Sequence, residues 1–280
     1  MVSNNTWWSA KADHHVLFKK LSIFAVMDKP VSFRMQIPFF IKKTETDFQK
    51  DLYERFDDMV VRHIALHLAD DLWGEYPFQK GFDFVTKHLQ NEKDINVLEL
   101  GCGVGKKIGT LAKQNPNGNY WGIDYSYQML KQGHDFWVEN KTILLDLSHK
   151  GFSQIHLPGH ELKNLNFGLA KAEELPFEKE SQDFVFSNFL LDRLKQPLEG
   201  LKEMKRVLRP DGKIIIVTPL NFLHKDHWKQ FHPSIKLFQA IKNLGFEILE
   251  WEENFEMEEP LDLRGNCLKW NCLGMVLKKL

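Results

Sequence analysis

The sequence predicts an α/β fold in which short apolar strands alternate with amphipathic helices. Three observations predict it. Val97-Leu98-Glu99-Leu100 is a buried-strand run that breaks into Gly101, Gly103 and Gly105 and is followed by a helical pattern over 106–114. A second apolar run, Asn119-Tyr-Trp-Gly-Ile-Asp124, ends on an acid. A third, Lys213 to Thr218, is β-branched and follows a helix over 197–208 with proline in its first turn.

Strand, glycine turn, helix places backbone N–H groups and a helix N-terminus beside a nucleotide-like ligand. A Walker loop requires Ser or Thr after its lysine, and here Lys106 is followed by Lys107. A dinucleotide fold uses Gly-x-Gly-x-x-Gly, one residue longer than this turn. The third possibility carries an acid two positions before the first glycine, here Glu99. Glu99-Leu-Gly-Cys-Gly-Val-Gly105 resembles the first motif of the class I S-adenosylmethionine-dependent methyltransferases, of the UbiE-like small-molecule type. The resemblance extends over roughly residues 95–280. It implies a Rossmann-like, doubly wound sheet of seven mostly parallel strands, the last antiparallel. It also implies an organisation into an N-terminal extension and lid over 1–92, made of a hairpin and helices, and an S-adenosylmethionine-dependent methyltransferase domain over 93–280.

In the extension, Leu21 to Met27 is apolar, Asp28-Lys29-Pro30 reads as a turn, and Val31, Phe33, Met35, Ile37 and Phe39 alternate as a half-buried strand with Pro38 marking an edge. The spacing of Leu52, Phe56, Val60, Ile64 and Leu68 predicts one long helix from Asp47 to Trp73. His63 and His67 share a face of it, but no glutamate follows His63 and no third ligand is near, so no metal site is expected. Tyr53 and Tyr76 fall where relatives of this kind carry aromatic residues over the cofactor. Gly81 to Gln90 reads as a further helix.

Asp124 lies nineteen residues after Gly105, the place for a carboxylate that accepts from both ribose hydroxyls. Asp124-Tyr-Ser-Tyr-Gln-Met-Leu130 resembles the family's second motif, with Ser126 capping the next helix. Residues 141–164 exceed a plain connection and predict an inserted excursion. After the strand over 165–170, Ala172-Glu-Glu-Leu-Pro-Phe177 resembles the segment that meets adenine, with Lys171 where an acid is usual. A fourth strand ends at Asn188. No Asn-Pro-Pro-Tyr and no cysteine follows it, which weakens base-amine and cytosine-carbon chemistry. Arg209 to Gly212 reads as a tight turn. Asn221 to His232 is a histidine-bearing loop after the fifth strand, Pro233 to Leu244 a helix, Phe246 to Trp251 a strand, Glu252 to Glu259 an acidic connection, and Leu268 to Leu280 the last strand.

Composition narrows the function classes. Lys+Arg at 37 nearly balance Asp+Glu at 38, and a net charge of −1 favours no nucleic-acid partner. Three cysteines without framework spacing indicate a reducing, cytoplasmic setting. No stretch approaches the ~18 apolar residues of a membrane span, and no signal peptide is visible.

The resemblance implies S-adenosylmethionine as cofactor, S-adenosylhomocysteine as product and a small, partly apolar acceptor. Its motifs place Glu99, Gly101, Cys102, Gly103, Gly105, Asp124, Tyr125, Met129, Ala172, Glu173 and Asn188 at the cofactor. Asp192 and His227 stand as candidate bases. Aminopropyl transfer, cofactor binding without turnover, and a protein or RNA acceptor are the alternatives.

Overall fold

The computed structural model describes residues 27–55, 57–89, 94–148, 153–262 and 264–280. In chain order the elements begin with a hairpin, β1 (Ser32–Arg34) and β2 (Ile37–Phe39), then α1 (Glu45–Lys50), α2 (Leu52–Arg55), α3 (Asp57–Leu68) and α4 (Gln79–Thr86). There follow β3 (Asn96–Leu100), α5 (Lys106–Gln114), β4 (Asn119–Asp124), α6 (Tyr127–Trp137), a small hairpin of β5 (Ile143–Leu145) and β6 (Ile155–Leu157), and β7 (Leu165–Leu169). The chain continues through β8 (Gln182–Asn188), α7 (Pro197–Val207), β9 (Leu208–Thr218), α8 (Lys225–Phe231), α9 (Ser234–Asn243), β10 (Phe246–Pro260) and β11 (Cys267–Lys279).

One sheet carries the strand order β1-β2-β7-β4-β3-β8-β9-β11-β10. The five strands β7, β4, β3, β8 and β9 are mutually parallel, and β11 joins antiparallel between β9 and β10. Period-two alternation sorts their side chains onto two apolar layers. Val97, Tyr120, Phe184, Phe186, Ile215 and Val217 face α3, α4, α5 and α6. Leu98, Trp121, Ile123, Val185, Ile214 and Ile216 face α7, α8 and α9. Burial on both faces is why these strands read in the sequence as unbroken apolar runs. Ile214, Ile215, Ile216 and Val217 have no exposed surface at all.

Several expectations are corrected. The sheet has nine strands among the described residues rather than seven, because β2 pairs with β7 through Phe39 and Leu169 and brings β1 with it. The alternating run over 31–39 is not one strand. It turns back at Met35 and Gln36, both with positive φ, and leaves Val31, Phe33 and Met35 exposed. Leu21 to Val26 lie outside the described residues.

The long helix over 47–73 is broken. Thr44 starts α1 with a capping box to Asp47, and Asp51 ends it in extended geometry while its carboxylate accepts from the Tyr53 N–H at 3.0 Å. An aspartate that bonds its own downstream backbone competes with helix propagation. The acidic connection over 252–259 is strand, since β10 and β11 continue paired as far as Pro260 and Cys267. Phe255 and Met257 turn inward there, while Glu256 and Glu258 stay in solvent. The loop after β9 also contains α8, and Arg209–Gly212 bulge where Gln182 and Phe184 pair with Leu208 and Lys213. The excursion over 141–164 is the separate β5–β6 hairpin, of which residues 149–152 lie outside the described range.

Candidate active site

The carboxyl ends of β7, β4, β3 and β8 lie side by side, and most of the sequence-predicted site residues collect there. Gly101, Gly103 and Gly105 have φ of +68°, +54° and +74°, the left-handed region that only glycine enters without strain. The bend is pinned across the strands. The N–H groups of Gly101 and Cys102 donate to Ile123 O at 2.8 and 3.1 Å. The Gly103 N–H donates to Asp124 Oδ2 at 2.8 Å, and the Ser126 N–H to Asp124 Oδ1 at 2.8 Å. Burial raises the Asp124 pKa, and these N–H groups oppose it. A carboxylate has about four acceptor sites. Two backbone bonds therefore leave capacity on both oxygens.

The three glycines divide the labour. A Cβ on Gly101 would approach Leu190 to 3.1 Å, and one on Gly103 would approach the Met129 methyl to 3.2 Å, so both face flexible apolar side chains. A Cβ on Gly105 would come within 2.6 Å of the Phe167 ring. Gly105 thus also serves close packing of α5 on the sheet. Cys102 is buried as well. Its sulfur is buried against Gly122, its N–H is spent on Ile123, and burial drives the thiol pKa up.

Glu99 is buried, and its Oε2 accepts from the Ile108 N–H at 3.1 Å in the first turn of α5. Burial pushes its carboxyl up to about 8, against the pull of the Lys107 ammonium. Lys107 is itself buried. Its Nζ donates to Tyr76 Oη at 3.3 Å and, with the Asn188 amide oriented so that its nitrogen donates to Ser187 O, to Asn188 Oδ1 at 3.2 Å. Lys107 escaped notice because Lys106-Lys107 looks like a solvated pair. The signal was its helical phase, since it shares the inner face with Ile108, Leu111 and Ala112.

Tyr125 presents its carbonyl to Lys43 Nζ at 2.9 Å and its ring to the same ammonium at 4.5 Å. Lys43 also donates to Asp51 at 2.9 Å and Glu54 at 3.1 Å, and Glu54 accepts from the Tyr127 N–H at 2.6 Å. These bonds fasten α1 and α2 over the β4–α6 turn. Ala172 and Glu173 follow β7, whose continuation at Ala170 donates to Asp124 O at 3.2 Å. Lys171 is exposed and forms a backbone bridge to Glu174.

The two candidate bases sit in different surroundings. Asp192 has no exposed surface. Its Oδ1 accepts from Thr218 Oγ1 at 3.1 Å, Arg193 Nε lies 3.4 Å from Oδ2, and its carbonyl accepts from the Leu223 N–H at 3.2 Å. Burial raises its pKa. In this geometry it anchors the loop after β9. His227 lies on α8 against Phe222, His224 and Phe231, and burial lowers its pKa.

A ring series crosses the site instead. Tyr53 meets His63 at 5.0 Å, His63 stacks on His67 at 5.5 Å, and His67 stacks on Phe78 at 5.2 Å. Phe78 meets Phe189 at 5.5 Å, and Phe189 meets Trp270 at 5.5 Å. Phe189 follows the last residue of β8 with a φ of +57°. Burial pushes the Tyr53 phenol up to about 12, with the Asp124 charge adding to it. Among the described residues no three His, Cys, Asp or Glu side chains gather as metal ligands, and no helix is long and apolar enough to cross a membrane.

A family model described as a methyltransferase domain matches residues 91–254. The chain is 32% identical over 172 residues to the malonyl-(acyl-carrier protein) O-methyltransferase of a Marinomonas species, covering 57% of this chain and 55% of that protein. It is 28% identical over 200 residues to the demethylmenaquinone methyltransferase of Lactobacillus johnsonii, covering 70% of this chain and 72% of that one. The chain thus spans about half the length of the first relative and nearly three quarters of the second. Among solved structures, a SAM-dependent methyltransferase from Aquifex aeolicus superposes with a TM-score of 0.50 at 18% identity, over 80% of this chain and 100% of that one. At that identity the likeness is one of fold.

Proposed function

The chain belongs to the methyltransferase-domain family, and from that premise we propose that it moves the methyl group of S-adenosylmethionine to an O, N or C nucleophile of a small, partly apolar molecule. The observation that carries the reading is the Asp124 carboxylate, held by the Gly103 and Ser126 N–H groups beside two left-handed glycines. That arrangement fits an adenosyl amino acid. The carboxylate has acceptor capacity for a vicinal diol, and bare main chain at Gly101 and Gly103 lets a ligand approach where a Cβ would intrude.

When bound, S-adenosylmethionine supplies a methyl group made electrophilic by its sulfonium. The chain's own work is alignment and exclusion of water. Asp124 would hold the ribose and the Ala172–Glu173 segment the adenine. Asn188, at the end of β8, would border the methyl. The rings of Tyr53, Phe78, Phe189 and Trp270 would keep water from the acceptor. The names of the relatives give a malonyl-(acyl-carrier protein) and a demethylmenaquinone as acceptors, and the second favours a small-molecule acceptor here. Three free cysteines support a reducing compartment, and we place the protein in the cytoplasm.

Calorimetry with S-adenosylhomocysteine tests the reading. Asp124→Ala is expected to weaken binding about a hundredfold, the loss of two hydrogen bonds to a charged group. Unchanged affinity would refute the ribose contact. Incubating the protein with methyl-labelled cofactor and a metabolite extract separates transfer from binding without turnover.

A further inference from the structure

Lys107, Tyr76 and His67 form a hydrogen-bonded chain that the cofactor cradle does not require. Lys107 Nζ lies 3.3 Å from Tyr76 Oη, and Tyr76 Oη lies 2.9 Å from His67 Nδ1. The directions of these bonds follow from chemistry. An ammonium has donors and no acceptor, so Tyr76 oxygen accepts from Lys107. Burial lowers the Lys107 pKa and Glu99 opposes that, while the two acceptors around Nζ, Tyr76 Oη and Asn188 Oδ1, suit a donor there. The phenolic proton then needs an acceptor, and among the described residues His67 Nδ1 is the one within reach. Nδ1 must therefore be bare. Burial drives the imidazole pKa well below its ordinary value, with further opposition from His63, Lys107 and Lys106, so the ring is neutral and its single proton sits on Nε2.

The chain has a definite place in the fold. Lys107 reaches both Asn188, the last residue of β8, and Tyr76. The His67 ring is sandwiched between His63 and Phe78, and Phe78 abuts Phe189, the residue after Asn188. His67 thus stands in the ring series at the carboxyl ends of the strands, where ligands of open parallel sheets bind.

We propose that Lys107 and Tyr76 lock His67 as the tautomer carrying its proton on Nε2, and that this N–H selects an acceptor that is flat, apolar and bears a hydrogen-bond-accepting oxygen. The inference rests on the methyl-transfer reading and deepens it. Lys107 and Tyr76 are positioning residues, acting through His67. The rings of Tyr53, Phe78 and Phe189 hold the apolar body of the acceptor, and a fixed donor among them rejects a hydrocarbon of the same shape, because an unpaired buried N–H is costly.

The test uses the full chain labelled with nitrogen-15 at histidine, with the His67 signals identified by their loss in His67→Gln. In the complex with S-adenosylhomocysteine, wild-type His67 is expected to show an unprotonated Nδ1 and a protonated Nε2 at neutral pH. Tyr76→Phe is expected to mix the tautomers. Phenol is expected to shift the Nε2–H resonance, and toluene to leave it in place. In label transfer to an acceptor from the extract, His67→Phe is expected to raise the acceptor KM about tenfold, the loss of one hydrogen bond. His67→Gln, which restores an N–H at the Nε2 position, recovers most of that loss. A protonated Nδ1, an imidazolium, or equal shifts with phenol and toluene would overturn the inference while S-adenosylhomocysteine still binds. Failure of the wild type to bind S-adenosylhomocysteine would instead sink the methyl-transfer reading, and the inference with it.

Discussion

The glycine bend after β3 and the cap of residues 42–76 face one another across the same site, yet they are held by different physics. The bend is secured by main-chain bonds to the adjacent strand, Gly101 and Cys102 to Ile123 and Gly103 to Asp124. The cap is secured by side chains distant in sequence, Lys43 to the Tyr125 carbonyl and Glu54 to the Tyr127 N–H. A bend made from the sheet itself is as firm as the sheet. The α1–α2 part of the cap, tied by a few polar contacts, can loosen while α3 stays packed in the core.

The largest expected effect comes from breaking the bend. Gly105→Val combines a forbidden positive φ with a clash into Phe167, and should cost about 4 kcal/mol, read by urea unfolding. Loss of less than about 1 kcal/mol would show that α5 can shift to relieve it. Breaking the cap comes next. Lys43→Met leaves Asp51 and Glu54 facing each other with no cation, a loss of about 3 kcal/mol to the cap. Hydrogen exchange should then quicken over 44–55 while amides of β3 and β4 stay protected. Uniform quickening would mean that cap and core unfold as one unit.

Acid sharpens the contrast. Burial in the cap lowers the His63 pKa from 6.5 to about 4. Below pH 6.5 the unfolded chain takes up a proton that the folded imidazole refuses until about pH 4, so stability falls across that window and is untouched above it. The loss reaches up to about 3 kcal/mol at the acid end, and His63→Phe should flatten the fall. The smallest effect belongs to the outer hairpin. Phe33→Ser, on exposed β1, should change unfolding by less than about 0.5 kcal/mol.

The same division explains what could be read in advance. The central strands announce themselves because a segment buried on both faces must be apolar throughout, as Ile214 to Val217 are. The bend announces itself because only glycine fits its φ values. The cap does not. Its helix pattern over 52–68 is continuous, and only Asp51, whose carboxylate bonds the chain beyond it, shows where the helix stops. Lys43 carries no local mark of burial. The Glu252–Glu259 run reads as a solvated loop because one face of the strand is solvated, and Phe255 and Met257 are too few to declare the other. The spacing of His63 and His67 reads as a pair on one helix face, while the partner of His67 is Tyr76, nine residues on, a pairing that no helical spacing announces.

The β1–β2 hairpin bears on how the molecule behaves in company. Without it β7 would end the sheet, a parallel strand with a row of bare amides and carbonyls next to its apolar side chains. Such a border recruits strands from other molecules and seeds fibrous aggregates. Three-residue β1, too short to template a neighbour, takes that outermost place. The hairpin covers β7 at Leu169 and leaves a three-residue strand at that border of the sheet.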